Sequence, residues 1–151
     1  MLKIATWDDY VHIKAMCLNF AQASPYADVE VDKEKMEELI SDILEGDGTE
    51  SIIILGLVDD KPVAMMAAAA SEMLLNRQFI AQEIIFWVEP EYRGSKLALE
   101  LMKAYEFWAV KVGCSFTQMS LVETEQAQKI ARLYERKGYA PIERGFLKRV
   151  G

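Results

Sequence analysis

The chain has 151 residues, enough for one domain with a substantial core, so we predict a single domain over residues 1–151. Hydrophobic residues make up 52% of it and aromatic residues 10%, a composition typical of a globular rather than a disordered protein. The net charge of −7 argues against a nonspecific nucleic-acid surface, which needs many cations facing phosphates, and favours a cationic partner.

Histidine and cysteine usage argues against several catalytic classes. His12 is the only histidine, so a Ser–His or Cys–His triad or a histidine-ligated zinc site has one residue to draw on, and we expect no metal. Cys17 and Cys114 lack metal-ligand spacing and indicate buried thiols in a reducing compartment, which predicts a cytoplasmic protein. Apolar runs have strand length and the N-terminus carries early charges, so we expect neither a membrane segment nor a signal peptide.

The first part of the chain reads as a strand followed by two helices. "LKIAT" (2–6) has strand character, and apolar residues recur at helical spacing from Trp7 to about Phe20. After the turn-rich "ASPYADVEV" (23–31), Asp32 is placed to cap a second helix, which glycines close.

The centre switches to strand periodicity. "SIIILGLV" (51–58) and "PVAMMAAAA" (62–70) predict strands 2 and 3 joined by a tight hairpin, and "FIAQEIIFWV" (79–88) predicts strand 4. A helix to about Val112 and a fifth strand in "SFTQMSLV" (115–122) follow. The apolar stripe of that helix consists of Leu97, Leu101, Tyr105, Trp108 and Val112.

The end of the chain predicts a last helix from about Glu125 to Lys137 and two short strands, "YAPI" (139–142) and "FLKRV" (146–150). A single helix joins strands 4 and 5, so those two are expected to be parallel, whereas the hairpins are antiparallel. We therefore predict an α/β (α+β) fold, with a mixed, mainly antiparallel sheet of six to seven strands and about four helices on both faces.

The turn after strand 4 combines features of an anion site. A helix N-terminus offers unpaired N–H groups and partial positive charge, and Gly94 permits backbone geometries that a side chain blocks. Ser95 adds a hydroxyl, and Arg93 and Lys96 add positive charge. The segment therefore predicts either a pyrophosphate seat or an ordinary helix cap.

Two motifs carry a family resemblance. "FWVEPEYRGSKLALELM" (86–102) resembles motif A of the GCN5-related N-acetyltransferases, the GNAT family, and "ARLYERKGYAP" (131–141) resembles motif B. The motif A matches are Val88, Pro90, Tyr92, Arg93, Gly94 and Ala98. The order of elements agrees with the family along nearly the whole chain. "AQEIIFWVEPEYRGS" (81–95) also looks like small acetyltransferases of bacteriophages, which would place the protein in a host cytoplasm.

The resemblance implies an acetyl-CoA site in a GNAT-like sheet whose strands 4 and 5 splay apart. The pantetheine arm would pair with the backbone of Phe86, Trp87 and Val88. The pyrophosphate would lie on the amides of Gly94, Ser95, Lys96, Leu97 and Ala98, preceded by Arg93. Two residues depart from the family pattern: Lys96 stands where a glycine is usual, which puts coenzyme binding in doubt, and Ala127 stands where an asparagine is common.

Tyr134 occupies the position at which the family commonly has a tyrosine beside the coenzyme sulfur. A phenol stays protonated at neutral pH and can donate to a thiolate, so Tyr134 is predicted as the catalytic acid. The alternative is a core role, because Ala127, Ile130, Ala131 and Tyr134 share one helical face.

Glu83 on strand 4 is the predicted base, directly or through a water, helped by a raised pKa. Strict alternation puts it on the same face as Ile85. The alternatives are a solvent-facing strand glutamate, or a base supplied by Glu72, Glu123 or Glu125.

The acceptor is expected near "NFAQASPYADVEV" (19–31), because the family binds it beneath the first two helices. Tyr26, Asp28 and Glu30 are the predicted amine contacts. The function predicted is acetyl transfer from acetyl-CoA to a primary amine of a small molecule or a protein, by direct attack in a ternary complex, with homodimerisation possible in this fold. The alternative is a non-catalytic scaffold that binds and inhibits or redirects a host protein.

Overall fold

A computed structural model describes the backbone of residues 1–151 and every side chain except those of residues 27 and 28. It contains five strands and four α-helices. The strands are β1 (Leu2–Ile4), β2 (Ser51–Val58), β3 (Lys61–Glu72), β4 (Phe79–Val88) and β5 (Cys114–Gln118). The helices are α1 (Tyr10–Ala23), α2 (Lys33–Glu45), α3 (Leu97–Lys111) and α4 (Ala127–Arg136). Short 3-10 turns occupy Trp7–Asp9, Pro25–Asp28 and Pro90–Tyr92.

The strands form one sheet in the order β1-β2-β3-β4-β5. Neighbours are antiparallel except β4 and β5, which are parallel as the single crossover helix predicts. Asp59 and Asp60 connect β2 to β3 and both have positive φ, 49° and 61°, which is the geometry of a tight two-residue hairpin.

The two predicted terminal strands do not form. The segment after α4 has no regular secondary structure, so the sheet has five strands rather than six or seven. Four large apolar side chains of this segment are exposed: Ile142, Phe146, Leu147 and Val150. Their strand-like composition was not sufficient, because a strand also needs a neighbour to pair with.

Each face of the sheet has its own core. The face that packs on α3 and α4, called the α3 face, includes Ala64, Ala68, Ala81, Leu101, Tyr105 and Tyr134. The face that packs on α1 and α2, called the α1 face, includes Ile13, Met16, Ile40, Met65, Ala67 and Trp87. Small sheet residues let α3 approach closely: a Cβ added at Gly56 would meet Leu97 at 3.1 Å. This contact packs the N-terminal end of α3 against β2.

The Asp32 carboxylate accepts from the N–H of Lys35 at 3.0 Å and caps α2, as the sequence predicts. No helix within the described chain is long and apolar enough to cross a membrane. Among the described side chains, no group of three or more His, Cys, Asp or Glu residues is arranged to hold a metal ion.

Candidate active site

One edge of β4 is free beyond its midpoint. β4 pairs with β5 only from Phe79 to Gln82, while its other edge continues to pair with β3 as far as Val88. The strands therefore diverge after the rung that joins Gln82 and Gln118. The end of the pairing is the arrangement that the splay implied by the family resemblance requires. The region between the last six residues of β4 and the chain after β5 is called the cleft below.

Backbone groups of β4 line this cleft at alternate residues. The N–H of Glu89 donates to Val63 O of β3 at 2.9 Å, and alternation along an antiparallel ladder then directs the polar groups of Val88 and Phe86 towards the cleft. Trp87 lies between them, and its backbone is directed to Met65 of β3. Phe86 and Val88 thus present polar backbone to the cleft, whereas the backbone of Trp87 is turned away from it.

A β-bulge changes which way Glu83 points. In the ladder with β3, Ile85 lies opposite Ala67 and Glu83 opposite Ala68, so Ile84 is an extra residue on β4. Ala67 belongs to the α1 face and Ala68 to the α3 face. The prediction that Glu83 and Ile85 share a face is therefore wrong, because the bulge interrupts the alternation. Glu83 lies on the α3 face.

The Glu83 carboxylate and the Tyr134 hydroxyl meet at one peptide segment. Glu83 Oε2 accepts from the N–H of Ser120 at 3.1 Å, and Tyr134 Oη donates to Ser120 O at 3.0 Å. Burial raises the pKa of Glu83 from an ordinary value of 4.5 to about 7, although the Ser120 N–H partly opposes this by favouring the carboxylate. Glu83 is therefore divided between its two protonation states near neutral pH.

Tyr134 is held as a neutral phenol. Its side chain is 7% exposed, and burial, followed by the nearby Glu83 and Tyr139, raises its pKa well above the ordinary range. Tyr134 is part of the α3-face core, and its hydroxyl lies near Glu83. Its role as the catalytic acid stays a prediction.

The turn before α3 has free amide groups. Gly94 has φ of +82°, a conformation that side chains disfavour, and a Cβ added there would meet nothing within 4 Å. Among the described residues, no acceptor is recorded for the N–H of Gly94, Lys96 or Ala98. The N–H of Ser95 donates to Tyr92 O and that of Leu97 to Ser95 Oγ, both at 3.4 Å. Three of the five predicted amides are thus available, and two make long local bonds.

Lys96 adapts to the usual glycine position without strain. Its φ is −72°, which any residue adopts, and its side chain is exposed. The other departure, Ala127, is the first residue of α4.

Arg93 reaches back over the end of β4. Its Nε donates to Val88 O at 3.0 Å, and its guanidinium carbon lies 4.8 Å from the centroid of the Trp87 ring. The Trp87 indole N–H is buried and has no acceptor among the described residues. Arg93 therefore already contacts a carbonyl that faces the cleft.

The predicted acceptor residues are not gathered around Glu83. Tyr26 and Glu30 are exposed and follow α1, which packs on the opposite face of the sheet. The side chain of Asp28 lies outside the described residues. Of the alternative bases, Glu123 pairs with Arg144 at 2.9 Å, while Glu72 and Glu125 are exposed.

Two residues at the site were missed by the sequence reasoning. Ser120 acts through its backbone, so no residue type could have identified it. Tyr105 was assigned to an apolar stripe, but its hydroxyl lies 2.7 Å from Ala81 O and 2.9 Å from Gln118 O, where the strands separate. A tyrosine within an otherwise apolar stripe was the available signal, because a buried phenol normally has a polar partner.

Comparisons with known proteins agree with this geometry. The acetyltransferase (GNAT) family matches residues 13–139. No curated protein matches the sequence closely enough to count as a relative.

Solved structures share the fold at low sequence identity. A transcriptional regulator from Bacillus halodurans C-125 aligns with a TM-score of 0.79 at 17% identity, covering 99% of each chain. AAC(6')-Iy, in complex with the bisubstrate analog CoA-S-monomethyl-acetylneamine, aligns with a TM-score of 0.77 at 14% identity, covering 100% of this chain and 97% of that one. A ribosomal-protein-alanine N-acetyltransferase from Brucella melitensis biovar Abortus 2308 gives 0.73 at 15% identity and 99% of each chain.

The match covers most of the sequence, and it includes the free strand edge, the amides before α3 and the Glu83–Tyr134 pair. The chain belongs to the GNAT family of acetyltransferases, with a five-stranded mixed sheet and four helices.

Proposed function

We propose that residues 1–151 form a single acyltransferase domain that moves an acetyl group from acetyl-CoA to a primary amine by direct attack in a ternary complex. The observation that carries the proposal is the cleft between β4 and β5, which has free backbone groups on one wall and a carboxylate of raised pKa where it begins.

The residues around the cleft fit the co-substrate. Phe86 and Val88 would pair with the amides of the pantetheine arm, and Trp87 would support them from the α1 face. The pyrophosphate would lie on the turn before α3, held by Arg93, Gly94, Ser95, Lys96, Leu97 and Ala98. The free amides and the positive end of α3 support this assignment, because both favour an anion.

Acetyl-CoA supplies an electrophilic thioester carbonyl, and Glu83 and Tyr134 handle the protons. In its ionised form, Glu83 Oε1 or Oε2 takes a proton from the ammonium group of the acceptor, directly or through one water. The neutral amine then attacks the thioester carbonyl carbon, and the C–S bond breaks once the C–N bond has formed. The Tyr134 hydroxyl releases Ser120 O and gives its proton to the departing sulfur. The second proton lost by the nitrogen restores the phenol, and Glu83 gives its proton to solvent.

The acceptor is a small molecule or a protein with a primary amine. Tyr26, Asp28 and Glu30 remain its proposed contacts on the α1 face, and the cleft is where it would approach Glu83 from that side. Neighbours in fold include examples of both kinds: one was solved with an acetylneamine analog, and another is a ribosomal-protein-alanine N-acetyltransferase. A phage origin and a cytoplasmic location belong to the same proposal, supported by the sequence resemblance and by two free cysteines.

A homodimer is also proposed, with its interface formed by the segment after α4. β5 lies at an edge of the sheet, and the exposed apolar residues after α4 have no partner; Phe146 is 91% exposed. Basic residues are concentrated in α4 and the segment after it, in an otherwise acidic chain: Lys129, Arg132, Arg136, Lys137, Arg144, Lys148 and Arg149. This charge complements the acidic remainder of a second copy. Light scattering should give a dimer mass that Phe146→Asp converts to a monomer; a monomeric wild-type protein would refute this part.

The second candidate function is a scaffold without catalysis that binds a host protein. Lys96 at the usual glycine position is the observation that favours it, because a side chain there competes for the space of the pyrophosphate.

Binding and transfer are tested in one design. We expect saturable acetyl-CoA binding by calorimetry, and mass spectrometry of a lysate incubated with the protein and isotope-labelled acetyl-CoA should show a newly labelled amine. Tyr134→Phe should lower turnover while leaving the affinity for acetyl-CoA unchanged. Absence of acetyl-CoA binding, combined with capture of one stoichiometric protein partner, would reject the enzyme and favour the scaffold.

A further inference from the structure

We propose that Tyr105 is a positioning residue that fixes the point at which β4 and β5 separate, and so sets the width of the cleft. This inference rests on the proposed function, because the cleft is the proposed seat of acetyl-CoA.

The hydroxyl of Tyr105 joins both strands from the α3 face. Its side chain is 0% exposed, and Oη lies 2.7 Å from Ala81 O of β4 and 2.9 Å from Gln118 O of β5. A hydroxyl has one proton, so the two carbonyl oxygens share it. The last rung of the β4–β5 ladder pairs Gln82 with Gln118, which places the shared proton at the end of the ladder.

The end of a ladder inside a protein leaves acceptors to satisfy. A buried carbonyl that loses its N–H partner is costly, so two parallel strands tend either to stay paired or to admit water. Tyr105 places one hydroxyl against a carbonyl of each strand, Ala81 O and Gln118 O, so a donor from outside the ladder ties β4 to β5 where their pairing ends. On the same rung, Gln82 Nε2 donates to Gln118 Oε1 at 3.1 Å, which holds the strands together at the solvent side.

The two contacts of Tyr105 are not explained by a role in simply fastening α3 to the sheet. Trp108, one turn along α3, anchors the helix with a single bond from Nε1 to Gly48 O at 2.6 Å, in a loop away from the cleft. Tyr105 instead contacts two carbonyls that belong to two different strands. Burial, and then the neighbouring Tyr139, raises the pKa of Tyr105 above its ordinary range, so the phenol keeps its proton throughout the working pH range.

The decisive variant is Tyr105→Phe, which removes only the hydroxyl. Calorimetry with coenzyme A should show an affinity weakened by about tenfold or more, because a small misplacement of the cleft walls costs much of the binding. Tyr139→Phe is the matched control. It also deletes one hydroxyl on this side of the sheet, which accepts from Thr117 Oγ1 and donates to Glu106 Oε1, both side-chain atoms, whereas Tyr105 contacts backbone carbonyls. It should bind coenzyme A within about twofold of the wild type.

A second readout separates positioning from stability. Water admitted at the end of the ladder would solvate Glu83, so the acid limb of the pH profile of kcat/KM should move to lower pH in Tyr105→Phe and stay in place in Tyr139→Phe. A lower melting temperature with unchanged coenzyme A affinity and an unchanged acid limb would overturn the proposal.

A gentler variant decides the matter if Tyr105→Phe does not fold. Gln82→Ala removes an exposed side chain from the same rung, and it should weaken coenzyme A binding by about threefold or more. Unchanged affinity in that variant would overturn the proposal. Failure of the wild type to bind coenzyme A would refute the proposed function itself, whereas equal binding by the wild type and these variants refutes only the role of Tyr105.

Discussion

The two halves of β4 differ in how many neighbouring strands they pair with. From Phe79 to Gln82 the strand is paired on both edges, and Tyr105 and the Gln82–Gln118 contact close its end. Beyond Ile84 the strand keeps β3 but loses β5, and its polar groups face a cleft. The candidate site therefore begins where a regular ladder stops, and a bulge and a buried hydroxyl mark the boundary.

The largest expected effect tests the chemistry at this boundary. Glu83→Gln keeps an acceptor for the Ser120 N–H but removes the base, so kcat/KM should fall by about 10²- to 10³-fold. In the wild type, activity should fall as the pH drops below about 7, because the protonated carboxyl group cannot accept a proton. That limb should be absent in the variant. Glu72→Gln, at the exposed end of β3, is the control, and an equal loss there would contradict the assignment.

Ligand binding along the unpaired half of β4 is expected to depend on the turn before α3. Substitutions at two glycines, one in this turn and one elsewhere, can test this. Gly94→Val forces a β-branched residue into φ of +82°, which should disturb the free amides and weaken coenzyme A binding by about tenfold. Gly113 follows α3, has φ of +91° and likewise faces open space. Gly113→Val should lose a similar stability, about 1–2 kcal/mol, without losing affinity. Equal affinities for the two variants in calorimetry would show that the turn does not hold the ligand.

The burial of Glu83 should also affect the pH dependence of the free energy of unfolding when no ligand is bound. Folded Glu83 keeps its proton to a higher pH than the unfolded chain does, so its contribution is fully present below about pH 4.5 and is lost as the pH rises through about 7. The free energy of unfolding should therefore decline by about 3 kcal/mol over that window relative to Glu83→Gln, because each unit of pKa shift is worth about 1.4 kcal/mol. Urea unfolding of both proteins at pH 5 and pH 8 measures this difference. Parallel pH dependences would mean that the carboxyl group is solvated in the folded protein.

The smallest expected effect concerns the residue that departs from the family. Lys96 is exposed at the start of α3, so Lys96→Ala should weaken coenzyme A binding by only about two- to fourfold at low salt. The difference should vanish at about 0.5 M salt, where exposed charges are screened. Lys103→Ala, two turns along the helix and also exposed, should have no effect. Tighter binding by Lys96→Ala would instead support the scaffold, since the lysine would then obstruct the site.

Periodicity was sufficient for the helices, the hairpins and the parallel crossover, because each depends on local patterns of apolar residues. It failed for the orientation of Glu83, since no glycine or proline marks the bulge at Ile84. It failed again for the terminal strands, whose pairing depends on a neighbour that the sequence does not specify. Motif A located the turn before α3, whereas Ser120 contributes only backbone atoms and leaves no trace in residue identity.

The position of Arg93 over the Trp87 ring has a consequence for tryptophan fluorescence. The Arg93 guanidinium lies over the indole of Trp87, and its Nε donates to Val88 O. A molecule that paired with Val88 would compete for that carbonyl, so we expect it to change the charge over the Trp87 ring and with it the Trp87 emission. The other two tryptophans, Trp7 stacked on Tyr10 and Trp108 bonded to Gly48 O, contribute a background. The protein therefore carries a built-in fluorescent reporter of cleft occupancy, which permits label-free titration and stopped-flow measurement of how fast the cleft fills.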